Sequence, residues 1–243
     1  MAPVSSPVAP QYTHKKNQMF QVDVFKLRKD RQNENYKAIA HELYHNSPTY
    51  KELVKIANDK AIDRVLEQLE YDYDEFLTEC ANSIAFSSVV AVAIAKGSSR
   101  QGTLDERKII NGIASEMSQY GYKIRCCGVN ELRPCNNGKI MTKEEFKQEN
   151  LNKDIHAHKS IDGVIDGTKS GYIFAKIVIG KGGTQDNVLK EMNQYIEWAK
   201  KFGQKDKIYV MLIDGEEFVS LKEKQTDNIW VVNHVEFQER LLG

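Results

Sequence analysis

Apolar residues recur at intervals of three and four from about Asn33 to Ala95, most regularly through "YKELVKIANDKAIDRVLEQLEYDYDEFLTECANSIAF", which holds no glycine or proline. That period lines up side chains along one face of an α-helix, so this part of the chain is expected to be all-helical. It ends in the longest apolar run, "SIAFSSVVAVAIA" from Ser83 to Ala95. The run is shorter than the roughly 20 residues needed to span a bilayer, which predicts a buried core helix and no membrane partner.

The pattern changes at Gly97. "KGSSRQGT" reads as a loop, and after it glycine becomes frequent and β-branched runs appear. Residues 1–20, "MAPVSSPVAPQYTHKKNQMF", read as a flexible tail, residues 21–97 as a helical region for recognition or dimerisation, and residues 98–243 as a second domain. That domain opens with "TLDERKIINGIASEMSQYG", where Thr103 and Glu106 have capping-box spacing, Ile109, Ile113 and Met117 make a stripe, and Gly121 ends the helix. A strand, "YKIRCC", leads to a loop-rich insertion from Gly128 to Lys159 with a small helix at "TKEEFKQEN". The strands "IDGVID" and "YIFAKIVI" follow, joined by the turn "GTKSG", then the amphipathic helix "TQDNVLKEMNQYIEWAKKFG" and the apolar runs "KIYVMLI" and "NIWVV". The expected class is α/β, a mixed central sheet flanked by helices, with the helical N-terminal region added to it.

Bulk properties narrow this only slightly. The 243 residues are enough for one large core with a helical extension. Lysine plus arginine equals aspartate plus glutamate at 34 each, so the overall field does not advertise a polyanion, and basic runs such as "KLRKDR" and "KKFGQKDK" read first as solvated faces. Cys80, Cys126, Cys127 and Cys135, with no secretory leader in view, point to free thiols and a cytoplasmic setting. Adding His156 and His158 gives no common zinc spacing. "IGKGGTQDN" lies between a strand and a helix but lacks the phosphate-loop spacing; Lys181, Gln185 and the nearby amides are candidates to touch a DNA phosphate.

The richest stretch is "SIDGVIDGTKSGYIFAKIVIGKGGTQDN", residues 160–187, with Asp162 on one strand and Lys176 on the next. With "GTLDERKIINGIASEMSQYGYKI" before it and "GGTQDNVLKEMNQYIEW" after it, the order of elements resembles the PD-(D/E)xK nuclease superfamily over roughly Gly102 to Val232. The first helix, with Glu106 and the pair Gly121 and Tyr122, is similar to that of archaeal Holliday-junction resolvases. "IDGVI" matches the family's acidic strand with isoleucine in place of proline, and "EMNQY" is similar to the helix after the catalytic lysine in the cleavage domain of the type IIS restriction enzyme FokI.

The resemblance implies a restriction-endonuclease-like core and a magnesium-dependent endonuclease of the type II restriction kind, acting on double-stranded DNA as a homodimer. Carboxylates hold the ion, the ion polarises the phosphate and acidifies a water, and a cation sits by the reacting oxygens. Asp162 then ligates Mg2+ and Lys176 is the cation. Strand alternation puts position 174 on the lysine's face, where the family's second acid belongs, but Phe174 stands there. The second ligand is expected at Glu191 on the following helix, with Asp166 or Glu106 as alternatives; a relative that has lost cleavage is the remaining reading. Candidate DNA contacts are Arg100 and Gln101 before the first helix, and Asn130 and Arg133 in the insertion. A repair or junction-resolving nuclease and an inactive DNA-binding protein are the alternative functions.

Overall fold

The computed structural model describes residues 19–97, 102–178, 184–215 and 219–243. Five helices make the N-terminal region: α1 (Val24–His41), which runs into a π-turn at Glu42–Asn46, then α2 (Tyr50–Ile56), α3 (Asp59–Leu69), α4 (Tyr73–Asn82) and α5 (Ile84–Ile94). Their starts follow local chemistry. Thr49 with Glu52 and Asp72 with Glu75 form reciprocal capping boxes that satisfy the first free amides of α2 and α4. Ile39, Leu43, Leu53, Ile62, Phe76, Val90 and Ile94 are buried together as the core of this region. The expectation of a buried core helix at α5 needs correction. Only one side is covered, while Ile84, Val89 and Val92 face outward at 53%, 70% and 56% exposure.

The second part begins with α6 (Gly102–Met117), closed by a 3-10 turn and by Gly121 at φ +83°, a left-handed conformation that glycine adopts without strain. Then come β1 (Lys123–Cys126), the hairpin β2 (Leu132–Pro134) and β3 (Ile140–Thr142), and the short helices α7 (Lys143–Gln148) and α8 (Lys153–His156). The main core continues with β4 (Gly163–Asp166), β5 (Ser170–Val178), α9 (Thr184–Phe202), β6 (Lys207–Gly215), α10 (Val219–Lys222), β7 (Ile229–Val232) and α11 (His234–Leu242). Five strands form one mixed sheet in the order β1-β4-β5-β6-β7; the first three run antiparallel and β5, β6 and β7 run parallel. The parallel step from β5 to β6 needs a long crossover, which α9 supplies.

Alternation along β5 sorts its residues between two cores. Ile173 and Ala175 face a layer built on Ile109, Ile110, Ile113 and Met117 of α6 and Phe237 and Leu241 of α11. Phe174 and Val178 face a second layer with Met192, Tyr195, Ile196 and Ala199 of α9. The sheet is therefore a central layer buried by helices on both faces.

The boundary near residue 98 marks a change of texture, yet α1 is shared between the two parts. Val24 belongs to the α6 side of the sheet core, and Ile39 and Ala40 to the helical core. Of the expected tail, residues 1–18 lie outside the described residues, and Phe20 is fixed: it exchanges hydrogen bonds with Gln238 at 2.9 and 2.8 Å and packs beside the sheet core. The firmest link is ionic. Asp105, fully buried at the start of α6, accepts from Arg31 at 2.6 and 2.8 Å and from Arg28 at 3.2 Å. Replacing Asp105 by alanine takes the paired carboxylate away from two largely buried guanidinium groups, and urea unfolding should show a loss of about 3–5 kcal/mol. A loss below about 1 kcal/mol would mean that α1 docks without this triad.

Candidate active site

The site forms where β4 leaves β5. Next to the Gly163 and Ile173 pair, the Asp162 amide still donates to the Ile173 carbonyl at 2.9 Å, and its own carbonyl accepts from Cys127 at 2.8 Å. One residue earlier the chain has departed, because the Ile161 amide donates to Leu132 in the β2–β3 hairpin instead. That leaves the Ala175 amide of β5 without a ladder partner. The Asp162 carboxylate takes the place of the missing carbonyl, Oδ2 accepting from Ala175 at 2.8 Å. The acid is thus fixed by three hydrogen bonds, and no hydrogen bond occupies Oδ1 among the described residues.

Lys176 reaches the same place. Its Nζ lies 3.3 Å from Glu106 Oε1 and 4.9 Å from the centre of the Phe174 ring. Phe174 and Lys176 share a face as strand alternation requires, and Ala175 lies in the opposite core. The phenyl ring stacks on Tyr195 with centroids 5.3 Å apart, so position 174 is the apolar floor of the site and supplies no ligand. Glu106 was expected to double as a capping glutamate. The helix already includes Gly102, which puts Thr103 inside the first turn, and the Glu106 carboxylate turns to Lys176.

A cavity of about 190 Å³ joins these groups, bounded by Glu106, Arg107, Cys127, Lys159, Asp162, Phe174 and Lys176 among others. Its charges are crowded. Burial pushes the Glu106 carboxyl up to about 7, with Asp162 adding to the rise and Lys176 opposing it. Asp162 is also raised, first by burial and then by Glu191, against the pull of Lys176 and the Ala175 amide. Burial works to lower Lys176, but Glu106, Asp162 and Glu191 outweigh it, and the ammonium is held more firmly protonated than usual.

Glu191, on α9, is therefore within electrostatic reach of Asp162 and Lys176, though its carboxylate pairs with Lys159 at 3.2 Å. Asp166 is not brought to the site. It is exposed, opposite Lys123 at the other end of β4, and four residues of strand separate it from Asp162 by about 13 Å. Asn130 and Arg133 brace the insertion, Arg133 donating to Asn130 and, at 3.0 Å, to the His158 carbonyl, so both already hold partners within it. Arg100, Gln101 and Lys181 lie outside the described residues, as does the side chain of Gln185. Two cations escaped sequence reasoning. Arg107 lowers Asp162 and donates to the Cys127 carbonyl at 3.2 Å, and Lys159 stands three residues before Asp162. Adjacency to Glu106 and to Asp162 was the available signal for both.

Asp162 and Glu106 are oxygen donors of the hard type that magnesium takes; burial raises both, and the neighbouring carboxylates Glu191 and Asp162 add to the rise of Asp162 and Glu106 respectively, which a divalent cation would relieve. Among the described residues, however, no three His, Cys, Asp or Glu side chains stand close enough to enclose an ion. Comparison of the chain with protein-family models, with curated proteins and with solved structures gave no match. Among the described residues no helix is long and apolar enough to cross a membrane.

Two measurements follow from this geometry. Glu106 keeps its proton to about pH 7 in the folded protein but only to about 4.5 when unfolded, so the native state binds more protons between these values and stability falls as pH rises through them. The variant Glu106→Gln has no such proton to lose. Its urea midpoint, measured against the wild type, should gain the equivalent of about 1–3 kcal/mol from pH 4.5 to 7; parallel curves would show an ordinary carboxyl. The Tyr195 hydroxyl, beneath Phe174, is buried with no hydrogen-bond partner among the described residues. Tyr195→Phe is expected to raise thermal stability by about 1 kcal/mol, and a loss of that size would show that the hydroxyl is satisfied.

Proposed function

We propose that this chain is a magnesium-dependent endonuclease that hydrolyses phosphodiester bonds in double-stranded DNA, with a PD-(D/E)xK core of the restriction-endonuclease kind. The observation that carries the reading is the convergence of Asp162, Glu106 and Lys176 on one cavity at the point where two neighbouring strands part. A mixed sheet with α6 on one face and α9 on the other supports the same core.

When bound, Mg2+ supplies charge on the phosphoryl oxygens and a more acidic water. Oδ1 of Asp162 and the Glu106 carboxylate are the groups placed to hold it. Fixing Oδ2 on the Ala175 amide costs nothing at the moment of reaction, because the bond exists already. The Lys176 ammonium, kept charged by its acidic neighbours, faces the space where the scissile phosphate would lie and stabilises the charge that builds there. Glu106, raised to about 7 by burial, gives up its proton only near neutral pH, which sets the range in which its carboxylate would be available as a ligand. Cutting both strands of a duplex calls for two such sites, hence a homodimer with a two-fold axis, and the free cysteines agree with a cytoplasmic setting.

Two observations favour a second reading, a DNA-binding protein of this fold without cleavage: Phe174 fills the position of the missing acid, and no three-ligand group is assembled among the described residues. Supercoiled plasmid incubated with Mg2+ separates the readings. Discrete fragments with mappable ends are expected, falling about 100-fold or more in Asp162→Asn and Lys176→Met. Branch-specific nicks would indicate junction resolution, and intact plasmid with a mobility shift would indicate binding alone.

A further inference from the structure

The diverted position of Glu191 is informative. This acid already acts on Asp162 and Lys176, yet its carboxylate is held 3.2 Å from Lys159 Nζ. Lys159 is itself 65% exposed, borders the cavity, and is joined to Asp162 through Ser160 and Ile161. With its lysine end open to solvent, although Glu191 is only 24% exposed, the pair is partly screened by water and needs a long lysine side chain to be ordered, so it can exchange. Arg107, the neighbouring cation, is engaged with the Cys127 carbonyl. Two acids line the cavity, Glu106 and Asp162, and another, Glu191, acts on Asp162 while paired with the exposed Lys159.

We propose that Lys159 is a positioning residue that exchanges partners: it holds Glu191 away from Asp162 until a phosphodiester draws its ammonium off, and Glu191 then turns in beside Asp162 to complete a divalent-cation site. The inference rests on the endonuclease reading and deepens it, because it makes cation binding and substrate binding cooperative. A cation alone must compete with Lys159 for Glu191. A phosphate that binds Lys159 removes that competition.

The test measures Mn2+ affinity without DNA, by electron paramagnetic resonance or calorimetry at fixed ionic strength, for the wild type, Lys159→Met, Glu191→Gln and the double variant. Lys159→Met should bind Mn2+ about 2- to 5-fold more tightly, the gain expected from releasing one exposed pair. In the Glu191→Gln background the gain should shrink by at least about half, since the carboxylate to be released is gone. An equal gain in both backgrounds overturns the proposal, for Lys159 would then act only as a repelling charge. Affinity for a short duplex at saturating Ca2+ should move the other way, about 2- to 10-fold weaker in Lys159→Met, and an unchanged value also overturns it. Asp162→Asn keeps the two readings apart. If Mn2+ binding in the wild type does not depend on Asp162, the endonuclease reading falls and this one with it; if it does and Lys159 has no effect, only the exchange falls.

Discussion

One hydrogen bond organises the site: the Asp162 carboxylate on the Ala175 amide at 2.8 Å. An exposed or cavity-facing break in a sheet ordinarily leaves a backbone amide without a partner, and such a group is costly unless something else accepts from it. Here a side chain does, so β4 can leave β5 without penalty and open a cavity between them. The same bond fixes the acid in one orientation with its second oxygen turned to other use. Everything else at the site is placed by reference to this break: Lys176 one residue beyond Ala175, Phe174 one residue before it, and Glu106 brought in by α6.

The helical region is tied to this point more closely than its distance in sequence implies. Asp105, next to Glu106, is clamped by Arg28 and Arg31 of α1, and Arg28 also donates to the Ile177 carbonyl at 3.3 Å, one residue past Lys176. A buried triad of this kind adds little net stability over an apolar equivalent but is expensive to break, so it fixes geometry more than it strengthens the fold. The clamp thereby ties α1 to the first turn of α6, the turn that carries Glu106.

Much of this was legible in the chain because it depends on period and on strand alternation. The stripe of Ile109, Ile113 and Met117 became the face of α6 that meets the sheet, and Gly121 and Gly203 ended their helices as their lack of a side chain allows. Phe174 and Lys176 share a face because a strand leaves no other choice. What escaped notice has little periodicity to read. The three-residue strands β2 and β3 are too short to show alternation, and α11, nine residues long, offers little more than two turns of period. The outward face of α5 carries the same apolar residues as its inward face, so sequence alone could not say which half is covered. Asp166, an alternative second ligand in the sequence, lies at the hairpin end of β4, and only the register shows that the strands part at the other end, beside Asp162.

The most direct test of the account is Mn2+-induced broadening of backbone amide resonances, which reports proximity to a bound ion without requiring catalysis. Substoichiometric Mn2+ should first erase the signals of Asp162, Ala175, Lys176 and Glu106, while those of Lys123 and Asp166 at the far end of β4 persist. Broadening centred on Asp166, or spread over the acidic surface with no focus at Ala175, would contradict a divalent-cation site at the parting of β4 and β5.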